Sequence, residues 1–447
     1  MKLKLTGSLL WLLGIGSIAA YAQPKQYNLS LQEALNYAYQ NQVDVKNAQI
    51  DVEISRNKVK ETVAIGLPQV NGTASLQRFL DIPTQLVPAQ FFNPNAGPND
   101  FAPVKFGTNY NLSYGVEASQ LLFDGNYLLG LQAASVYKEL TVKALERTKI
   151  ETSVSVSKAY YSVLVYRKRL ELLNANVDRL KKTLDDTRAY YKNGFAEKID
   201  EDRLSVLYNN LTTELANVTR MVDLSLSLLK FQIGMPVDAE LNLTDNMESL
   251  QLQEAALQVE AVNLDNRVEY GLIKTQLRLN ELDYKRNVVT RAPSLLAFAS
   301  FSRNAQNNEF SKLNSTVYPT SVVGLQLNVP LIGSGKKWYQ TKQAKLAVEK
   351  SKNDLAGLEN AIRLESSSKQ IAYNNSVASL ENQKKNMELA REVVRVTKAK
   401  YDQGVGSSLE VTTAETSLKE AETNYIGSLY DAVIAKIELD KAYGRIK

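Results

Sequence analysis

Asn41-Gln42-Val43-Asp44 and, 225 residues later, Asn266-Arg267-Val268-Glu269 are one short phrase written twice. Leu67-Pro68 returns as Ala292-Pro293 at the same offset of 225. Tyr191-Lys192-Asn193-Gly194 returns as Tyr401-Asp402-Gln403-Gly404, and Ile233-Gly234 as Tyr443-Gly444, both at an offset of 210. Upstream, Leu31-Gln32-Glu33-Ala34 has its counterpart in Leu252-Gln253-Glu254-Ala255. Copies of about 200 residues lie far outside the periods of solenoid repeats. They describe a chain built as two equivalent halves of a larger symmetric object. The reading divides the chain into a signal peptide (1–22), a first repeat (23–235), a linker or equatorial segment (236–253) and a second repeat (254–447).

Each repeat is dominated by one long helical stretch. Asn126–Lys192 and Lys336–Asp402 are 67 residues each, without Pro and with a single Gly apiece, so each spans ~100 Å if continuous. In the first, Tyr166, Leu170, Leu173, Val177, Leu180, Leu184, Thr187 and Tyr191 follow one another in steps of 4 and 3. That is a heptad seam, the pattern of a coiled coil. Val377, Leu380, Met387, Val394 and Tyr401 keep a looser seam in the second. Gly194 and Gly404 close these helices where a residue tolerating positive φ is needed. Shorter helices are predicted over Asp200–Gln232 and Leu409–Tyr443 after the turns, and over Leu31–Ile65 and Glu254–Thr290 at the start of each repeat. Ser30-x-x-Glu33 forms a capping box for the Leu31 helix. Two short helices end to end match one long helix, which suits the wall of a tall cylinder.

Between helices, each repeat carries two strand-like segments. Tyr110, Leu112, Tyr114, Val116 and Ala118 alternate with Asn111, Ser113, Gly115, Glu117 and Ser119. Val323, Leu325, Leu327, Val329 and Leu331 alternate with Gly324, Gln326, Asn328 and Pro330. Gln69–Leu80 and Ser294–Arg303 are the expected partners. Segments with one apolar and one polar face, edged by Phe79, Tyr110, Tyr114, Phe298, Phe301 and Tyr318, fit strands of a membrane barrel. Four strands cannot close a barrel, and an open edge in lipid leaves backbone groups unpaired at several kcal/mol each. The chain is therefore expected to oligomerise. Two copies supply eight strands and a lumen filled by side chains; three supply twelve and room for a channel, the preferred solution. The stretch Asp81–Thr108, with Pro83, Pro88, Pro94, Pro98 and Pro103, is predicted to be an exposed loop.

Composition narrows the function. Lys2, Lys4, the apolar run Leu9–Ala20 and Ala20-Tyr21-Ala22 read as an export signal. With 53 basic and 48 acidic residues interspersed along the chain, there is no basic block to mark a nucleic-acid partner. The absence of His and Cys removes the commonest general base, the usual zinc ligands and the thiol nucleophile. Composition leaves catalysis by carboxylates or a Ser-Lys pair open, but nothing marks such a site; no catalytic residue, metal site or cofactor is expected, and the protein is read as a non-enzyme.

The Leu29-Ser30-Leu31-x-Glu33-Ala34-Leu35 opening, the Gly66-Leu67-Pro68 junction, Gln120-Leu121-Leu122-Phe123-Asp124-Gly125, the two Tyr-x-x-Gly turns and the duplication resemble the TolC-type outer membrane efflux protein family. The resemblance covers nearly all of the chain beyond the signal. It implies a mainly α protein with β: a homotrimer with a twelve-stranded barrel in outer-membrane lipid and a periplasmic α-barrel of long antiparallel coiled coils. It further implies a passive conduit that docks a periplasmic adaptor (membrane fusion) protein and an inner-membrane pump, in efflux or type I secretion.

By the same resemblance the periplasmic gate falls on Asp200, Tyr401 and Glu410, with Asp200 bonding to Tyr401. Thr413 stands where a second acid can occur, and Gly406 where some members have an Arg. The turn residues Gly194, Phe195, Gly404 and Val405 are the candidates for adaptor contact. Acids at 200–202 also suit the first turn of a helix with no further role. The alternative is a periplasmic coiled-coil adaptor or scaffold without a membrane barrel.

Overall fold

The computed structural model describes residues 26–247 and 262–446. The signal-peptide assignment, the Leu252–Ala255 motif and part of the linker lie outside the described residues.

The long helices form almost as read. α3 runs Gly125–Lys192 and α6 Lys336–Asp402. The shorter α4 (Lys198–Ile233) and α7 (Ser408–Ala442) follow after the two turns. The expected opening helix is broken in two: α1 (Leu31–Asn41) stops at Gln42, whose ψ of 134° is extended, and α2 runs Val43–Ala64. The capping box at Ser30 and Glu33 is present. In the second half α5 covers Val268–Val289, after a single 3-10 turn at Leu264–Asn266. None of the described helices is long and apolar enough to cross a membrane.

Four strands make one antiparallel sheet in the order β2-β5-β7-β8: β2 Gln69–Arg78, β5 Tyr110–Phe123, β7 Ser294–Asn307 and β8 Val317–Asn328. β8 thus starts earlier than its alternation suggested, and Val329, Pro330 and Leu331 lie beyond it. The stretch read as a loop contains a second hairpin, β3 Thr84–Pro88 with β4 Phe101–Lys105, in which Pro88 and Pro103 occupy strand positions. Proline is tolerated there because a two-stranded ribbon has free edges. The N-terminal strand β1 Gln26–Leu29 was not foreseen. It pairs in parallel with β6 Glu240–Leu243, part of the linker.

Contacts divide the described residues into two compact units, each drawing on both halves of the sequence: residues 26–42, 152–247 and 376–434, and residues 43–151, 262–375 and 435–446. The core of the first is the coiled-coil seam. Leu173, Val177, Leu180 and Leu184 of α3 are buried against Leu204, Leu211 and Val218 of α4. Tyr160 is fully buried, its hydroxyl 2.9 Å from the Asp245 carboxylate and 3.1 Å from the Leu29 carbonyl. Asp245 also accepts the N–H of Leu31, tying the start of α1 to the linker.

The second unit holds the sheet. Directly paired residues share a face, so the register sorts the side chains. Val70, Leu112, Val116, Ala299, Phe301, Val323 and Leu325 fall on one face. Asn71, Ser113, Glu117, Ser119, Ser300, Ser302, Thr320 and Gln326 fall on the other. Phe298, read as an aromatic of the membrane edge, lies on the polar face between Ser119 and Gly324. A Cβ on Gly324 would come within 2.6 Å of its ring, so the glycine makes room for it.

Candidate functional site

Both long helices end in the same backbone device. After α3, Phe195 N–H bonds to the Tyr190 carbonyl (2.9 Å) and Gly194 N–H to that of Tyr191 (3.0 Å), with Gly194 at φ 78°. After α6, Val405 N–H bonds to Lys400 (3.1 Å) and Gly404 N–H to Tyr401 (2.9 Å), with Gly404 at φ 74°. These are Schellman caps, and they explain why Tyr-x-x-Gly recurs. The residue after such a glycine usually packs back on its helix. Met235, after Gly234, does so and is 4 % exposed, whereas Phe195 and Val405 are 84 % and 79 % exposed. The two helical turns therefore present bare apolar side chains.

Beside these turns lies a cleft of about 430 Å³ lined by Tyr190, Phe195, Asp200, Tyr401, Gly406 and Ser408. It brings Asp200 and Tyr401 together, but not in the expected bond. The Tyr401 hydroxyl sits 2.9 Å from that of Thr187 on α3. Thr187 directs its own proton to the Thr183 carbonyl (2.9 Å), so Tyr401 is the donor. Asp200 accepts from the Ser408 hydroxyl and from the backbone N–H of Glu197 (3.1 Å). Asp200 thus caps its own helix, as the dipole reading allowed, and also holds the start of α7. Burial pushes the Tyr401 hydroxyl up, and the charges of Asp200 and Asp402 add to this. It stays a protonated donor at any physiological pH.

Glu410 and Thr413 are exposed near the start of α7, Thr413 bonding back to the Leu409 carbonyl (2.8 Å). A Cβ on Gly406 would lie 3.0 Å from the Tyr401 nitrogen, so a larger residue there would press on the turn.

Further from the turns, α3 meets α6 and α7 through polar groups that sequence reasoning missed. Arg179 grips Glu415 with both ends of its guanidinium (3.0 Å each). Asn176 donates to Glu422 (2.5 Å), which also takes a bond from Arg391 (3.2 Å). Lys398 donates to Thr183 (2.8 Å). Glu415 and Glu422 are both buried. Their spacing of seven, on the same side as Leu418, was the available signal. Glu214 of α4 is held by Lys419 (2.6 Å) and Arg169 (2.8 Å). Burial alone would raise its carboxyl, yet these two cations bring it below the usual range.

An antiparallel sheet with one apolar face, joined to paired helices of 67 and 68 residues, defines a class: channel proteins that combine membrane strands with a helical extension. The model of the outer membrane efflux protein family matches residues 34–234 and 273–445, and the chain belongs to that family. It is an outer-membrane protein whose helices extend into the periplasm. It is 21 % identical over 445 residues to outer membrane protein TolC of Vibrio cholerae, covering 97 % of this chain and 93 % of that one. It is 23 % identical to the alkaline protease secretion protein AprF of Pseudomonas aeruginosa, over 69 % of this chain and 66 % of the relative. Its fold is similar to the CmeC outer membrane channel of Campylobacter jejuni, with a TM-score of 0.73 at 13 % identity, over 99 % of this chain and 94 % of the other.

Proposed function

We propose that three copies of this chain form one pore, the outer-membrane channel of a tripartite efflux or type I secretion system. The observation that carries this reading is the four-stranded sheet with free edges at β2 and β8 and faces of opposite polarity. Free edges in lipid are too unfavourable to persist, and joining β2 of one copy to β8 of the next removes all of them. Three copies give twelve strands, with the apolar faces toward lipid and the polar faces toward a wet lumen. The two halves of each chain, on this reading, are structural duplicates that turn three subunits into six equivalent wall segments.

At the periplasmic end, bare Phe195 and Val405 suit contact with a periplasmic adaptor, which links the channel to an inner-membrane pump. The bonds Tyr401–Thr187 and Asp200–Ser408 hold the α6–α7 turn against α3 and α4 and act as part of a gate. Glu410, exposed beside them, contributes charge at the narrow mouth. The channel is passive, and its cargo is set by the pump.

Extraction in mild detergent and reconstitution into planar bilayers test the proposal. A heat-sensitive trimer and discrete single-channel currents are expected, with about a twofold or larger rise in conductance for Tyr401→Phe, since about 1 kcal/mol of gate bonding is lost. A monomer stable in plain buffer, without current, would refute the pore.

A further inference from the structure

The four membrane-type strands contain three charged residues, Arg78, Glu117 and Arg303. The register puts them on different faces. Arg78 pairs with Tyr110 and Arg303 with Tyr114 and Pro319, all on the apolar face and toward the hairpin end of the sheet. Glu117 pairs with Asn71 and Ser300 on the polar face, near mid-strand. That face is otherwise composed of neutral side chains on all four strands. Glu117 is exposed, and among the described residues it has no ion-pair partner.

A carboxylate with no nearby cation, standing alone on a polar surface, has no structural task in the sheet. Its neighbours Asn71 and Ser300 are neutral, and its β-propensity is poor. We propose that Glu117 sets the charge preference of the strand-lined part of the channel, favouring cationic solutes; this rests on the reading that three sheets share one lumen with their polar faces inward. Threefold repetition then places three carboxylates at one height around the axis, with no positive charge on the polar face of the strands to offset them. Rings of acids select cations by this means. The determinant is distinct from Glu410, which lies on a helix near the periplasmic turns.

The range of the effect gives it a signature. The screening length is about 30 Å at 0.01 M salt and about 3 Å at 1 M. Three carboxylates on the wall of a wide lumen therefore govern its whole cross-section only at low salt. Reversal potentials of the full-length protein in planar bilayers, under a potassium chloride gradient, read this out. The wild type is expected to prefer cations at low salt. Glu117→Gln should lower the permeability ratio about threefold or more, Glu117→Lys should lower it further, and the difference should vanish near 1 M.

Because the chain has no cysteine, Glu117→Cys offers a unique target for a small cationic thiol reagent added in the aqueous phase. Its modification should move the reversal potential in the same direction as the lysine variant. A Glu117→Gln channel with the wild-type reversal potential at low salt overturns the inference and leaves the pore intact. So does a cysteine variant whose current ignores the reagent. A wild type that passes no current at all overturns the pore and the inference together.

Discussion

Gly234 and Gly444 are each held by two constraints at once. Both are left-handed, at φ 73° and 66°, closing α4 and α7 with Schellman caps. Both also face a backbone: a Cβ on Gly234 would lie 2.6 Å from the Asn41 carbonyl oxygen, and one on Gly444 would lie 2.5 Å from that of Asn266. This explains why Asn-x-Val-acid and the distant glycine recur as a set, since the extended residue after each Asn makes the seat the glycine enters. At the second seat, buried Arg267 adds bonds to the Ala442 carbonyl (2.7 Å) and to Glu365 (2.9 Å). Gly404 shares the left-handed φ, but nothing stands within 4 Å of its would-be Cβ. Gly404→Ala should therefore lose about 1 kcal/mol, the conformational term alone. Gly444→Ala should lose about 3 kcal/mol or more, because the seat must also move. Thermal loss of helical circular dichroism in detergent would show the two variants in that order; equal midpoints would contradict the seat.

At the scale of elements, the two faces of α3 differ in kind. Toward α4 it offers a leucine seam; toward α6 and α7 it offers Arg179, Asn176 and Thr187. Apolar seams resist separation in any salt, whereas polar contacts exchange with water at small net loss. On the gate proposed above, the α3–α4 pair is the fixed part and the α6–α7 side the separable one. Glu214 of α4 reaches Lys419 of α7, and its lowered carboxyl makes that link depend on pH. A depressed acid stabilises the fold above its unfolded value and loses that contribution as pH falls through the native one. Glu214→Gln should then be less stable than wild type by about 1 kcal/mol at neutral pH, and the difference should close only as pH falls below the usual carboxylate range and through the lowered native value. Melting curves across that range check the sign.

For the whole molecule, the proposed pore requires the apolar face of the sheet to meet lipid and the polar face to meet water. Val323, 86 % exposed, stands on the apolar face; Gln326, three residues on, stands on the polar one. Val323→Arg should cost about 2–4 kcal/mol per chain at the bilayer centre and deplete the heat-sensitive oligomer from outer membranes. Gln326→Arg should assemble normally. Matching yields for both variants would mean that the sheet is not in lipid.

Helix and strand positions were legible because periodicity is a property of neighbouring residues. Sixty-seven residues without proline, a 4–3 spacing and strict alternation needed no partner to be read, and the Tyr-x-x-Gly turns announced their own caps. What neighbours could not reveal was decided by groups brought from far along the chain. The break at Gln42 exists because Gly234 must seat there, 192 positions away. The β3–β4 hairpin forms in a proline-rich stretch because two short segments pair across it. Tyr401 found its acceptor in Thr187, and Asp200 its donor in Ser408, among several polar groups that the sequence places near the turns. Backbone conformation follows from local sterics and burial pattern, whereas a hydrogen-bond partner is fixed only when folding sets the last few ångströms.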